Sequence, residues 1–310
     1  MRRGGGPRGV ALINALVLVA GLSAIAVGLM LRSDAARQRL AGMTEAGQAA
    51  AYLDAAQLLG LQLLTQAPGA EAATHTGQGW AQGYRDEPID QGVVSLQISD
   101  LQGRFNLAWL GTEFDEDSDA LLRALAREAF GQLTQDIGLS ATTRRRLMQA
   151  LDPDLGQRVT AWGRATRPPP LPLTDIAQLR LIEGLSDADI TALAPYVAAL
   201  PEEQMMNLNT VRPEVLAAFL PGVSAANMAR MLEAARPFTD LGQALDWFED
   251  SVGEAAFDRV ELFGLSITSG WFELQLDARL DTLRLRRKVI VRRANPAACC
   301  TVVLSMPESE

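Results

Sequence analysis

The chain has 310 residues, a formal net charge of −9 at pH 7, 48% hydrophobic residues and a single histidine, His75. This negative charge argues against nucleic acid as a partner, because binding to phosphates needs an excess of cationic side chains. One histidine and two adjacent cysteines, Cys299 and Cys300, exclude most catalytic triads, zinc sites and a disulfide framework. No enzymatic activity is therefore expected. The cysteines are interpreted as small hydrophobic residues of a terminal strand, and a redox-active pair of neighbouring cysteines is the alternative.

The N-terminus has the pattern of a short basic leader followed by a membrane helix. Residues 1–9 contain three arginines and end in Gly9, and an uncharged run of 22 residues, Val10 to Leu31, starts directly after it. A helix of this length spans ~33 Å, which matches the apolar thickness of a bilayer. Such a layout is typical of a prepilin-type leader that is cut between Gly9 and Val10; an uncleaved membrane anchor is the alternative.

Residues 32–66 predict the extramembrane half of one continuous helix. No proline occurs between Arg32 and Leu64, and Pro68-Gly69 marks the end of the helical pattern. Apolar residues recur at helical spacing, which indicates a stripe that packs on a domain. These residues are Leu40, Met43, Ala50, Leu53, Leu61 and Leu64.

Strand patterns occur in two separate parts of the chain. After a predicted loop at residues 70–91, residues 93–99 predict a strand, residues 100–103 a turn, and residues 104–109 its hairpin partner. Further strands are predicted at residues 272–276, 289–291 and 301–304. We therefore assign residues 67–111 and 257–310 to one α/β core.

The intervening residues 112–256 predict an inserted all-helical domain. One helix is expected at 119–135, after an acidic cluster at 115–119 that would cap it, and another from Ser140 or Thr142 to Leu151. Residues 181–190 and 219–228 form a repeat 38 positions apart, in which a glycine turn precedes a capping serine, Ser186 or Ser224. The overall expectation is an α+β fold in which a long, pilin-like N-terminal helix packs on an antiparallel sheet. Tandem helix-hairpin-helix (SAM-like) units would form the insertion.

The glycine turns also raise an alternative function. Leu220-Pro221-Gly222-Val223 is similar to the helix-hairpin-helix motif, whose backbone amides hold DNA phosphates. However, Ser186 and Ser224 replace the usual second glycine, and residues 181–236 carry three arginines against seven acidic residues. A membrane-anchored protein for DNA binding or uptake is therefore the alternative, beside a type IV minor pilin, and no nucleic acid is expected as a partner.

A possible calcium site lies at Asp152-Pro153-Asp154-Leu155-Gly156, where two carboxylates flank a bend. Calcium prefers six to eight oxygen ligands, and nothing acidic follows within 18 residues. Asp152 and Asp154 are thus candidate calcium ligands without a full set, and no cofactor is required.

Several motifs together resemble one family, general secretion pathway protein K, the large minor pseudopilins of type II secretion. The leader ending at Gly9, the segment Ser99–Leu107, the segment Asn207–Thr210 with the hairpin at Leu220–Val223, and Arg236-Pro237-Phe238 follow the family's order. The family's acidic calcium-associated run is only partly kept, at Asp152 and Asp154.

The resemblance implies a role at the tip of the pseudopilus, where the subunit would initiate or cap assembly with minor pseudopilins I and J. It also implies cleavage by prepilin peptidase, N-methylation of Val10, and a single-pass protein of the inner membrane with its bulk in the periplasm. Pilin-like proteins usually have glutamate at the fifth mature position, where this chain, like the family, lacks it and has Asn14. A subunit without that carboxylate suits a position with no neighbour above it.

Overall fold

The computed structural model describes residues 8–66, 73–111, 118–152, 158–159, 165–166, 173–201, 204–294 and 300–308. The helices are α1 Arg8–Gln66, α2 Ala108–Gly111, α3 Ser118–Asp136, α4 Ala141–Leu151, α5 Asp187–Leu193, α6 Pro213–Ala218, α7 Ala225–Ala235, α8 Leu241–Val252 and α9 Glu254–Glu261. The strands are β1 Tyr84–Ile89, β2 Gly92–Asp100, β3 Phe105–Asn106, β4 Arg158–Val159, β5 Ala165–Thr166, β6 Val197–Ala198, β7 Met206–Asn207, β8 Leu265–Ser266, β9 Trp271–Leu280, β10 Arg284–Arg293 and β11 Cys300–Glu308.

Helix α1 is the stem of the molecule, and its 59 residues span ~88 Å. The predicted continuous helix is confirmed, but the predicted stripe is only partly right. Residues 12–44 are all exposed, and Leu40 and Met43 keep 66% and 72% of their surface accessible. The body first reaches α1 at Glu45, whose carboxylate accepts hydrogen bonds from the backbone N–H and hydroxyl of Thr282.

The last third of α1 packs on one face of a five-stranded antiparallel sheet of order β1-β2-β9-β10-β11. Ala49, Leu53, Ala56 and Leu64 lie on one side of the helix and are buried against the sheet. Gly60 permits the closest approach, since a Cβ there would lie 2.6 Å from Cδ2 of Leu274. Helical periodicity on α1 and strand alternation on the sheet thus produce one apolar interface.

The predicted hairpin between residues 93–99 and 104–109 is wrong. The neighbours of β2 are β9 and β1, and β1 lies within the predicted loop. Phe105 and Asn106 instead pair in parallel with Val197 and Ala198. At this turn the chain leaves the sheet, and Gly103 lies against the backbone of Thr210. A Cβ on Gly103 would lie 2.4 Å from the carbonyl oxygen of Thr210.

The remaining helices form a lobe with its own apolar core, which extends from Phe105 to Ile267. Residues 105–111 and 257–267, which sequence reasoning assigned to the sheet unit, contribute to this core. The rings of Phe105 and Phe263 both contact that of Phe219. The lobe also covers part of the sheet face opposite the stem. There Ala198 and Leu200 pack with Trp271 and Ile290.

The repeat within the lobe has the local structure that its sequence predicts. Gly184 and Gly222 adopt φ values of +80° and +85°, and Ser186 and Ser224 accept a hydrogen bond from the backbone at the start of α5 and α7. The two units differ before the turn, since Ile176–Leu181 is a 3-10 helix whereas Pro213–Ala218 is α-helical.

Other predictions have different outcomes. Helices α3 and α4 lie where they were expected, and Ser140 caps α4. The acidic residues 115–117 lie outside the described residues. Cys300 is disulfide-bonded, so its interpretation as a small hydrophobic residue is wrong. Cys299, the other cysteine of the chain, lies outside the described residues.

Candidate functional site: the stem and the buried polar junction

The N-terminal site residues lie at the beginning of α1. Gly9 and Val10 belong to its first helical turn, and Asn14 lies one turn later with an exposed side chain. The apolar half of α1 reaches a mean hydropathy of 2.4 over 18 residues and contributes nothing to the folded body. By length and composition this helix fits a transmembrane anchor.

Of the two calcium candidates, the structure describes only Asp152. Asp152 is fully buried, and its Oδ1 accepts a 2.8 Å hydrogen bond from Nη2 of Arg127, while Oδ2 accepts another from Nε. Its carboxylate therefore links α3 to the end of α4. Asp154 lies outside the described residues, and within the described ranges no group of three or more metal-binding side chains occurs.

The motif segments meet at a junction between the sheet and the lobe, which is centred on Asp100 at the end of β2. Its Oδ2 accepts hydrogen bonds of 2.5 Å from the hydroxyls of Ser269 and Thr210 and one of 3.1 Å from Nδ2 of Asn207. Its Oδ1 accepts a 2.8 Å bond from the backbone N–H of Gln102. Burial raises the pKa of Asp100, although these four hydrogen bonds act in the opposite direction.

Arg293 provides positive charge close to this carboxylate. Its Nη2 donates to the hydroxyl of Thr74 at 2.7 Å and to the carbonyl of Ser269 at 2.8 Å, and its guanidinium lies over the ring of Phe272. Burial lowers the pKa of Arg293, and the negative charge of Asp100 raises it. Each charge therefore offsets part of the cost of burying the other.

Two buried ion pairs tie the opposite sheet face to the lobe. Arg104 donates to Glu273 on β9 at 3.3 Å, and both side chains are less than 10% exposed. Lys288 on β10 lies 2.6 Å from the carboxylate of Asp175, which also caps the 3-10 helix. Lys288 is the only lysine of the chain. The junction therefore holds three carboxylates and three cationic side chains, and it is neutral as a whole.

The remaining motif residues brace the lobe internally. Asn209 binds both the N–H and the carbonyl of Phe238, at 2.7 and 2.9 Å. Arg236 donates to the carbonyls of Leu208 and Val211, each at 2.7 Å, and burial lowers its pKa to about 10. Asn106 holds the chain after β6 through the backbone of Leu200. These motif residues therefore fix the geometry of the lobe through contacts with its backbone.

Sequence reasoning found Asp100, Arg104 and Asn207 as parts of motifs. It missed Arg293 beside Asp100 and Glu273 beside Arg104. It also missed the separate pair of Lys288 and Asp175. The available signal was charge on strands that are otherwise apolar. Glu273 interrupts the apolar start of β9, and Lys288 stands beside Val289 in β10. A charge in a strand that is buried on both faces needs a partner.

The glycine turns offer a poor surface for phosphate. The carbonyl of Gly184 accepts a 2.6 Å hydrogen bond from Arg146, so this cation serves the fold. Glu183 and Asp187 are exposed around the same turn, and Asp189 is half-buried there. Their negative charge opposes the approach of nucleic acid.

Comparisons with known proteins agree on one family. The family model of type II secretion system protein K matches residues 103–202. Type II secretion system protein K of Klebsiella pneumoniae is 30% identical over 249 residues, which cover 75% of this chain and 76% of that protein. The protein K of Pseudomonas aeruginosa is 29% identical, with 70% and 69% covered, and that of Aeromonas hydrophila is 27% identical, with 94% and 97% covered.

A solved structure has the same fold. A chain in the crystal structure of the GspK–GspI–GspJ complex from enterotoxigenic Escherichia coli aligns with a TM-score of 0.67 and 23% identity. The alignment covers 88% of this chain and 100% of that one.

Proposed function

This chain belongs to the family of type II secretion system protein K and is a minor pseudopilin of that system, and we propose that it occupies the tip of the pseudopilus. There it would initiate or cap the assembly that exports proteins across the outer membrane. The observation that supports this position is the large helical lobe, which is joined to the sheet through three sets of buried charges.

The lobe matters because subunits in a pilus shaft stack through small, repeated rises. The lobe has a second hydrophobic core, formed by residues between Phe105 and Ile267, and it adds bulk on the sheet that each neighbour above would have to avoid. Buried ion pairs oppose its displacement, since separating one leaves an uncompensated charge. A terminal subunit has no neighbour above it, so the bulk costs nothing there.

We propose minor pseudopilins I and J as the partners, by analogy with the complex of the Escherichia coli protein. The exposed stem from Arg32 to Thr44 is the surface that would receive their helices. Leu40 and Met43 project from it without contact to the body. An isolated helix of this length is marginal in water, so packing against neighbouring stems would stabilise it.

Processing would give the subunit its mature N-terminus. Prepilin peptidase would cut between Gly9 and Val10, and Val10 would then be N-methylated. The apolar half of α1 would remain in the inner membrane, with the body in the periplasm. Asn14 would have no carboxylate to offer to a neighbouring N-terminal ammonium, in keeping with a subunit at the end of the filament.

Site-specific photocrosslinking tests the proposal. A photoreactive residue at Leu40 or Met43 should crosslink to I or J in cells, whereas one at Leu181 should not, although Leu181 on the lobe is 73% exposed. N-terminal sequencing of the same material should begin at Val10. Crosslinks from Leu181 to the major pseudopilin along the shaft, or a mature chain that keeps its leader, would contradict the proposal.

A second substitution tests the role of position 14. Asn14→Ala should leave secretion intact, because it removes one neutral amide whose hydrogen bonds in a membrane are worth ~0.6 kcal/mol. Asn14→Glu should reduce incorporation, since it places a carboxylate in the membrane without a partner. If Asn14→Ala abolishes incorporation and Asn14→Glu does not, position 14 does not support a tip position for this subunit.

A further inference from the structure

An open groove lies on the lobe, away from the stem and the junction. It is formed by the end of α7, the loop after it and the exposed side of α8, and its volume is about 380 Å³. The indole of Trp247 is half-buried and packs on the ring of Phe238 with a centroid distance of 5.0 Å. Pro237 and Ala234 form the other wall, and both are exposed. An aromatic ring is therefore accessible from solvent in a concave setting, whose lining also includes Thr239 and Gln243.

Acidic side chains lie to one side of this ring. On α8, Asp250 follows Trp247 by three residues and is therefore its neighbour on the helix surface, and Asp246 lies one turn before Asp250 on the same side. From Asp240 to Glu261 the chain carries seven carboxylates and one arginine. That arginine, Arg259, forms an ion pair with Glu128 on α3.

Some carboxylates elsewhere in the molecule have cationic partners. On the sheet, the exposed Asp86 and the half-buried Asp277 form ion pairs with arginines. Asp246, Glu249 and Asp250 are exposed and form no ion pair with any residue that the structure describes. Three negative charges on α8 thus lack internal compensation, on the helix that forms one side of the groove.

The chain itself shows which group suits such a ring. Arg212 lies 5.3 Å from the ring centroid of Tyr196, Arg292 lies 5.9 Å from that of Trp271, and Arg293 covers Phe272. Among the described residues, no arginine or lysine covers Trp247 in this way. A guanidinium over its face would gain a cation–π contact and would lie on the side of α8 that carries Asp250 and Asp246.

We propose that this groove is a docking site for an arginine-containing segment of another polypeptide. One arginine of the partner would stack on Trp247, with its charge balanced by Asp246 and Asp250. The polypeptide backbone beside it would lie against Pro237 and Ala234. This surface is independent of the stem contacts that join the subunit to the pseudopilus.

Peptide binding to the full chain in a neutral detergent provides the test. The probe is a dye-labelled hexapeptide of alternating arginine and glycine, compared with one of alternating glutamate and glycine, and the measurement is fluorescence anisotropy at low salt. We expect the arginine peptide alone to bind. The double variant Asp246→Asn/Asp250→Asn should weaken binding about tenfold, which corresponds to about 1.4 kcal/mol.

Two matched variants complete the design. Asp90→Asn/Asp281→Asn changes the charge equally at exposed turns of the sheet and should leave binding within about twofold. Ala234→Arg fills the groove from an exposed position near the C-terminus of α7, where a cation favours the helix, and should abolish binding.

Three results would overturn the proposal. The first is equal weakening by both charge pairs, which would indicate attraction to the net charge alone. The second is binding that survives Ala234→Arg, or no binding of the arginine peptide at all. The third is a change of oligomeric state with the groove variants in analytical ultracentrifugation, which would identify a second copy of the chain as the occupant.

Discussion

The sheet meets the stem on one face and the lobe on the other and at its end, and the chemistry of the two interfaces differs. Against the stem it buries aliphatic side chains of β2, β9 and β10 beside Leu53 and Leu64. Against the lobe it buries Asp100, Glu273, Lys288 and other charged residues, each at most 8% exposed. The stem interface is stabilised mainly by area removed from water, whereas the junction depends on each charge having its partner.

This difference has a consequence for tolerance. An apolar interface loses stability in proportion to the atoms removed, and neighbours relax partly into the gap. A buried polar network fails more abruptly, because one deletion leaves several donors and a charge unsatisfied. The stem is thus attached by a graded interaction and the lobe by an all-or-none one.

The largest expected effect is that of Asp100→Ala. The change removes the acceptor of the hydrogen bonds from the hydroxyls of Ser269 and Thr210, and it leaves Arg293 buried without its opposite charge. We expect the free energy of unfolding to fall by about 3–5 kcal/mol, measured by urea denaturation of the full chain in detergent. Asp90→Ala, at an exposed turn, should change it by less than about 0.5 kcal/mol. Similar losses in both variants would mean that the junction is not the vulnerable interface.

The next effect is expected at the stem. Leu53 is 2% exposed, and Leu53→Ala should cost about 2–4 kcal/mol by the same measurement, since it opens a cavity against the sheet. Leu40→Ala makes the same chemical change on the same helix where the side chain is 66% exposed. It should be neutral in the isolated subunit. A loss at Leu40 equal to that at Leu53 would show that the body covers more of the stem than the structure indicates.

The third prediction is that only the junction responds to pH. Burial raises the pKa of Asp100 above its usual 3.8, so the folded chain holds this proton more tightly than the unfolded chain. Stability relative to Asp100→Asn should therefore increase as pH falls through the raised pKa, and the gain should be complete below 3.8. The cost of Leu53→Ala should stay constant over the same range. A pH-independent difference between wild type and Asp100→Asn would contradict the assignment.

The smallest effect is expected when a buried pair is replaced as a unit. Arg104→Met/Glu273→Leu exchanges the ion pair for apolar side chains, and stability should stay within about 1 kcal/mol of the wild type. Arg104→Met alone should cost about 3 kcal/mol, because Glu273 then remains buried without its cation. If the double variant is as unstable as the single one, the pair contributes more than mutual compensation.

More of the stem interface than of the junction could be predicted from the sequence. Residues 32–66 and strands β2, β9 and β10 follow local periodicity, so their existence and buried sides could be predicted. Leu40 and Met43 share the periodicity of Leu53, and only the position of the body explains why they stay exposed. Strand β1 was missed because it is an edge strand with Pro88, a positive φ at Asp86 and no alternating apolar residues.

The junction could be predicted only as a set of motifs. Arg104 and Glu273 are 169 residues apart, and Lys288 and Asp175 are 113 apart. No local pattern connects such positions, so their pairing depends on the topology of the whole chain. The wrong hairpin at residues 93–109 has the same origin, since the turn at Gly103 is shaped by Thr210.

The length of the exposed stem also sets the distance between a membrane around the apolar half of α1 and the folded body. With residues 10–31 in a bilayer, the 14 residues from Leu31 to Glu45 lift the first contact of the body ~21 Å above the apolar layer. Lipid headgroups occupy roughly 6 Å of this distance, which leaves a clearance of about 15 Å beneath the sheet. In that arrangement the body would stand free of the lipid surface, so sliding the anchor outward along its axis would require no change in the body. The same clearance leaves room beneath the body for other helices to reach the stem from the side.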